Sequence, residues 1–367
     1  MIVLDARNVN YALPQGVTHL HAFGVREPSR AGDVLREVSP VTTIYQAPME
    51  RVLHHPWRDA NPFFHLIEAL WMLAGRDDLS TLTRYVTRFR DFSDDGVTVP
   101  GAYGKRWRDW FHPADGTSGS ADQLDWVVRR LRDNPRDRRT VIQMWDAYVD
   151  PGRADNGSKD VPCNLIALPF ETEGHLNLTV FCRSNDMVLG AYGANAVHFS
   201  FLLEYLAARV GLKVGRYWQV SNNFHAYVEN AGDPQACWPT EWGPVDPYAM
   251  GKVRPFPIFE SFDLEAPANF TDTHRDRRLR EDLAVFFDEG AFAASQMVRW
   301  PFLSRIAIPM ALAHKHFKTN KGDERYLGAI EILSQMPANN DWRLAAMEWM
   351  ERRQRSFYKA QSDGPTT

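Results

Sequence analysis

From residue 59 to 75 the chain reads DANPFFHLIEALWMLAG, and its apolar positions (Phe63, Phe64, Leu66, Ile67, Leu70, Trp71, Leu73) cover most of a helical circumference. That pattern predicts a core helix, with Asn61 as its cap, Pro62 in its first turn and Gly75 at its C-terminal stop. Glu68 stands inside the apolar run. A second largely apolar helix is predicted over NAVHFSFLLEYLAARVG (195–211), ended by Gly211, and an amphipathic C-terminal helix over LAAMEWMERRQR (344–355). The β-branched and apolar runs RRTVIQMWD (138–146), CNLIALPF (163–170) and HLNLTVFC (175–182) predict strands; Leu176, Leu178, Val180 and Cys182 share one face of the last. PGAYGKRWRDW (100–110) reads as a loop, DPGRADNGSKD (150–160) as a surface loop between strands, and roughly 263–300 as an irregular or inserted segment. Strands interspersed with buried helices predict a layered α/β or α+β fold.

Composition narrows this picture. The 367 residues, 44% hydrophobic and 24% charged, suffice for a large core in one elaborated domain or two closely joined ones. Three cysteines (Cys163, Cys182, Cys237) are too few for a disulfide framework and point to a reducing compartment. The start MIVLDARNVN lacks a secretory pattern and no long apolar run follows, so a cytoplasmic protein with no membrane partner is expected. The net charge is −4 and the arginines are dispersed, which argues against a polynucleotide partner and leaves room for a small anion held by a few arginines. No metal is expected: Cys-x-x-Cys and His-Glu-x-x-His are absent, and His314 and His316, two apart in a helical pattern, diverge, while His19 and His21 form the other such pair. No dinucleotide fingerprint or phosphate loop occurs.

Candidate chemistry centres on Cys163, directly behind Val-Pro at a strand start. Such a thiol is either a small buried filler or, with arginine nearby, a nucleophile of lowered pKa. Arg138, Arg139 and Arg183 lie at strand ends, and Arg183 with Ser184 offers a guanidinium fork and a hydroxyl to a phosphate. Glu68 is either a paired structural carboxylate or a desolvated acid-base group. His225 and Tyr227, two apart in NNFHAY, fall on one face of an extended segment and suit a sugar hydroxyl, or form a structural aromatic pair.

The order of NPFFHLIEALWMLAG, YGKRWRDW, DRRTVIQMWD, VPCN, CRSNDMVLG and VGRYWQVSNNFHAYVEN, over about 60–230, resembles the thymidylate synthase superfamily, which includes the phage-type deoxycytidylate and deoxyuridylate hydroxymethylases. The resemblance implies a mixed sheet flanked by helices, in a homodimer whose sheets pack together. It implies a catalytic domain over 1–260 with a helical elaboration at 261–367. Cys163 then resembles the nucleophile that attacks C6 of a pyrimidine, and Glu68 the organiser of proton transfers. Arg183, Ser184 and, more weakly through PSRAGD, Arg30 look like phosphate ligands; Arg138 and Arg139 look like the pair donated across the dimer. His225 and Tyr227 look like ligands of the sugar 3′-hydroxyl, and Asp186 like the folate-contacting aspartate. The implied substrates are a nucleoside monophosphate and 5,10-methylenetetrahydrofolate.

Departures from the synthase pattern bear on the product. Asn164 follows the cysteine where synthases carry His, and LGAYGAN (189–195) is one residue longer than its counterpart, so Asn195 reads the base unless the ungapped Ala194 takes its place. Phe89 and Phe92 replace tryptophans of the folate site, and the chain ends in SDGPTT rather than an apolar closing terminus. A wetter closure favours water over hydride at the exocyclic methylene. Hydroxymethylation of a dCMP- or dUMP-like substrate is therefore expected over reductive methylation of dUMP to dTMP. A regulator that kept the fold without catalysis, and a modifier of pyrimidines within DNA, are the readings from other classes.

Overall fold

A computed structural model describes residues 1–30, 32–112, 121–228, 246–259 and 272–362. Cys237, residues 263–271 of the expected irregular segment and the terminal DGPTT lie outside the described residues. The chain divides into two compact units, one of Met1–Leu53 with Glu68–Asp246 and one of His54–Ile67 with Pro247–Thr367.

Among the described residues, the first unit holds a six-stranded sheet in the order β1-β4-β9-β7-β6-β5 and a four-stranded sheet in the order β2-β3-β10-β8. The strands are β1 (Ile2–Ala6), β2 (Val25–Ser29), β3 (Gly32–Arg36), β4 (Val41–Tyr45), β5 (Ile142–Gln143), β6 (Asn164–Thr172), β7 (His175–Cys182), β8 (Asn185–Asp186), β9 (Lys213–Ser221) and β10 (Phe224–Tyr227). The large sheet is mixed: β1 and β4, and β7 and β9, run parallel, while its other pairs are antiparallel. The fold class expected from the sequence therefore holds. Leu176, Leu178, Val180 and Cys182 are all buried, as the alternation along β7 required.

Helices α1 (Val9–Phe23), α2 (Pro62–Leu73), α3 (Leu79–Thr83), α4 (Tyr103–Arg108), α5 (Gln123–Asp133), α6 (Asp150–Asp155) and α7 (Asn195–Val210) precede β9. Every residue of α2 is buried; Asn61 Oδ1 accepts the Phe64 N–H at 3.1 Å, and Gly75 at φ +72° closes the C-terminal end. Gly211 ends α7 at φ +83°.

In this unit three expectations need correction. The segment 100–110 is not all loop, because Tyr103–Arg108 is helical. Its stability comes from partners remote in sequence: a Cβ on Gly104 would lie 2.1 Å from the Met72 carbonyl oxygen, so only glycine allows that approach. Buried Arg106 there donates to both Asp150 oxygens at 2.7 and 2.8 Å. The strand expected over 138–146 contracts to Ile142–Gln143, at the sheet edge with β6 as its one partner among the described residues. The supposed surface loop at 150–160 opens with α6, whose Asp150 is fully buried.

The second unit is helical beyond residue 271, with α8 (Asp272–Ala284), α9 (Gly290–Met297), α10 (Ile308–Thr319), α11 (Glu324–Ser334) and α12 (Asp341–Ser362). The described part of 263–300 is thus largely helical rather than irregular, and the C-terminal helix is longer than 344–355. Phe63, His314 and Trp349 form an aromatic cluster with centroids 5.3 and 5.5 Å apart. His314 is buried there with its pKa pushed down to about 3 by desolvation, while His316 reaches the Glu324 carbonyl at 3.2 Å, so the two histidines diverge as expected. His19 is engaged by Glu37 at 2.5 Å, and His21 is exposed.

Candidate active site

Cys163 sits immediately before β6, and β6 bulges at once. Asn164 opposes Cys182 and Ile166 opposes Phe181, leaving Leu165 as the extra residue. Its carbonyl takes the N–H groups of Met144 and Trp145 at 2.8 and 3.1 Å. Such a bulge bends the strand and re-aims the side chains beside it. Asn164 is fully buried, whereas Cys163 remains partly exposed.

The backbone around the thiol is pinned on both sides. The N–H groups of Cys163 and Asn164 donate to the Tyr103 hydroxyl oxygen at 3.3 and 3.2 Å. Arg183 donates through its backbone N–H to the Cys163 carbonyl at 2.8 Å, and through its guanidinium to the Pro162 and Val161 carbonyls at 2.9 and 3.0 Å. Pro162 has no N–H to satisfy, and Arg183 satisfies its carbonyl. The sequence Val-Pro-Cys followed by Arg-Ser twenty residues later therefore builds a rigid thiol mount.

The thiol is held above its ordinary pKa. Burial pushes the Cys163 pKa up and Asp160 adds to the rise, while Arg183 and Arg30 oppose it. The β2–β3 turn thus brings Arg30 within electrostatic reach of the thiol. Asp160 is itself pushed up to about 6, chiefly by burial, with the Gly101 N–H and Arg106 opposing and Asp94 and Glu68 adding. Burial also raises the Tyr103 phenol well above its ordinary value.

Glu68 resolves as a paired carboxylate. Its Oε2 meets His198 Nε2 at 2.9 Å, and both side chains are buried. His198 Nδ1 is buried and has no hydrogen-bond partner among the described residues. One turn earlier on α7, Asn195 joins a chain of amides. Asn164 Nδ2 donates to Asn195 Oδ1 at 3.1 Å, Asn195 Nδ2 to Asn185 Oδ1 at 3.1 Å, and Asn185 Nδ2 to Ser221 Oγ at 2.9 Å. The Asn195 amide is thereby fixed, with one lone pair and one hydrogen left to offer.

The β8–β10 pairing sets His225 opposite Asp186. Asp186 Oδ1 caps the segment that follows, accepting from the N–H groups of Val188 and Leu189 at 2.7 and 3.1 Å. Burial lowers the His225 pKa while Asp186 opposes, and the His225 and Tyr227 rings meet edge-on at 5.3 Å. Burial raises the Tyr227 pKa, with Asp186 and Cys163 adding and Arg30 opposing, so Tyr227 shares the field of the thiol. Ser184 is half-buried, its carbonyl accepting from Cys182 Sγ at 3.0 Å.

Arg138 and Arg139 are not brought to the thiol within this chain. Both are exposed, and Arg139 is held by Asp137 at 2.9 Å. Phe89 lies in a short 3₁₀ turn, Thr87–Phe92, with its ring 5.3 Å from that of Phe92. Among the described residues no group of three or more His, Cys, Asp or Glu side chains is placed to hold a metal ion. Nor is any described helix long and apolar enough to cross a membrane.

Sequence reasoning missed four participants: Tyr103, Asp160, His198 and Asn185. Tyr103 was hidden in a stretch read as loop and Asp160 at the end of another. His198 was one polar residue in an apolar helix, although it falls one turn after Asn195 on the same face.

A thymidylate synthase family profile matches residues 58–236. A protein of Pseudomonas phage M6 named deoxyuridylate hydroxymethyltransferase is 44% identical over 364 residues, covering 97% of this chain and 96% of its own. A protein of the same name from Bacillus phage SP01 is 36% identical over 204 residues, covering 55% and 52%. A thymidylate synthase from Symbiobacterium thermophilum is 32% identical over 197 residues, covering 48% and 66%. With the mixed sheet and the cysteine at the head of β6 already in place, this near-full-length likeness settles the family: the chain belongs to the thymidylate synthase and nucleotide hydroxymethylase superfamily.

Proposed function

We propose that the protein transfers a one-carbon unit to C5 of deoxyuridylate and hydrates it to hydroxymethyl. The observation that carries this reading is the 44% identity, over 97% of the chain, to a deoxyuridylate hydroxymethyltransferase. The site chemistry supports it. Uracil C5 is a poor nucleophile until a thiolate adds to C6, and Cys163 is a pinned, partly exposed thiol whose pKa burial raises and Arg183 and Arg30 pull back toward the anion. Arg183, Ser184 and Arg30 are the phosphate ligands in this reading. His225 and Tyr227 hold the sugar 3′-hydroxyl. The fixed amide of Asn195 offers one acceptor and one donor, which match the N3–H and O4 of uracil. Glu68, held at one oxygen by His198, moves protons at the base from the other.

The cosubstrate of this reading is 5,10-methylenetetrahydrofolate, and it supplies the carbon that becomes attached to C5. The residues fit such a group: Asp186 is a carboxylate at the rim of the nucleotide residues, and Phe89 and Phe92 form a ring pair with Phe92 nearly half exposed. Arg138 and Arg139 serve a second copy in a homodimer. In support, one rung of the large sheet carries Ile44, Trp218, Thr179 and Leu168 on a single face, all incompletely buried, and exposed Phe170 packs against Trp218 at 5.6 Å. Such a face suits sheet-to-sheet packing. The expected location is the cytoplasm.

The test is product mass after incubation with tetrahydrofolate, formaldehyde and, separately, dUMP, dCMP, UMP and CMP. A gain of CH2O on dUMP is expected. A gain of CH2 with dihydrofolate formed would refute hydroxymethylation, and turnover confined to dCMP would refute the base assignment.

A further inference from the structure

Asp160 lies three residues before Cys163, on the segment whose carbonyls Arg183 holds. Its Oδ2 accepts the Gly101 N–H at 2.9 Å. The fit is close: a Cβ on Gly101 would stand 2.6 Å from Oδ2 and 2.9 Å from Oδ1, so the carboxylate beds against bare backbone. Among the described residues Oδ1 has no hydrogen-bond partner and no cation lies within ion-pair distance of Asp160. Arg106, the cation that influences it most, gives its Nη atoms to Asp150 and to the Met144 and Pro100 carbonyls. The other titratable groups facing Asp160 are Cys163, Tyr103, Glu68 and Asp94. A partly buried carboxylate without a counter-ion costs stability, and this one sits beside a nucleophile and a second carboxylate.

The geometry points to Asp160 as the general base that takes the proton from the water added to the C5 methylene. This role rests on the function proposed above and gives the site its means of choosing water over hydride. In the step, water oxygen bonds to the exocyclic carbon and the C5=CH2 π pair moves toward C4, giving an enolate. The water proton passes to Asp160 Oδ1. Collapse of the enolate re-forms the ring C5=C6 bond, and the C6–S bond breaks to release the Cys163 thiolate. No oxidant or reductant is consumed, in contrast to methyl formation. Burial holds the Asp160 carboxyl near 6, so at neutral pH it is mostly ionised and a stronger base than an ordinary aspartate. Glu68, already bonded to His198, remains for the protons of the base itself.

The experiment compares wild type, Asp160→Asn and Asp160→Ser with methylenetetrahydrofolate and dUMP tritiated at C5. The variants are expected to bind dUMP and release about one equivalent of tritium, because Cys163 addition and loss of the C5 proton precede the hydration. Hydroxymethyl product should form about 100-fold more slowly or worse. Denatured variant protein should carry the 5-methylene nucleotide on Cys163, a gain of dUMP plus one carbon, and the fall in wild-type rate below about pH 6 should be missing from both variants. Product formation within about threefold of wild type would overturn the role, as would parallel loss of tritium release and product with dUMP still bound. A wild type that makes no hydroxymethyl nucleotide overturns the function and the role together; a fully active Asp160→Asn overturns the role alone.

Discussion

Replacing Asp160 by asparagine should stabilise the protein while disabling it. The carboxyl is displaced from 3.8 to about 6, roughly two units, and each unit is about 1.4 kcal/mol. Keeping Asp160 ionised in the folded chain therefore costs up to about 3 kcal/mol, which partial exposure and solvent screening reduce to about 1–2 kcal/mol. Asparagine retains an oxygen for the Gly101 N–H and carries no charge, so it recovers that amount. The folded carboxyl holds its proton more tightly than the unfolded one. The penalty is thus full above about pH 6, shrinks as pH falls from about 6 to 3.8, and is absent below that. Thermal melts of wild type and variant followed by circular dichroism should differ by about 1–4 °C near pH 8, with the variant higher, and should converge near pH 4. A variant that melts lower near pH 8, or by the same margin at both pH values, would show that Asp160 is a structural acceptor and not a strained acid.

Other perturbations address the remaining parts of the site. Cys163→Ala should still bind dUMP but form no covalent complex with 5-fluoro-dUMP; an adduct by intact-protein mass spectrometry would locate the nucleophile elsewhere. His198→Ala leaves the buried Glu68 oxygen without its partner and should cost about 1–3 kcal/mol in urea denaturation, with kcat falling more than KM rises, whereas His198→Gln, which keeps a donor, should recover most of both. Arg106→Met strands buried Asp150 and should cost about 3–5 kcal/mol; adding Asp150→Leu should lessen the loss, and a strictly additive double variant would contradict the coupling of the pair.

What the sequence disclosed, and what it hid, follows from the range of the forces involved. Helices α2 and α7 were legible because their caps lie within the segments themselves, Asn61 and Gly75 for one and Gly211 for the other. Helix α4 was not, since a short stretch rich in Gly and Arg has no apolar period. Its helicity depends on Gly104 against the Met72 carbonyl and on Arg106 against Asp150, 44 residues away. The strand at 138–146 looked long by composition, yet a sheet edge with one partner supports two residues of pairing. At the site, Cys163 and Arg183 were legible as types at telling positions. Asp160 was not, because an acid in a polar stretch looks solvated until the fold closes Gly101 over it.

The shifted groups around the thiol share a direction that, in the proposed function, lets one site bind a dianion and still move protons. Burial drives Cys163, Asp160, Tyr103 and Tyr227 up and His225 down, in each case toward the uncharged form. The permanent cations beside them, Arg30 and Arg183, are exposed at the rim. In the proposed function, fixed positive charge is thus kept where a phosphate would arrive from water, and the interior is left to groups that donate or accept a proton at little cost. A cleft lined instead by ionised carboxylates would repel the phosphate and hold no proton to give. Asp160 stands at the boundary, ionised at neutral pH and protonated slightly below it. That position makes its single unpaired oxygen the part of the site best suited to water, which must lose one proton at the moment its oxygen bonds to carbon.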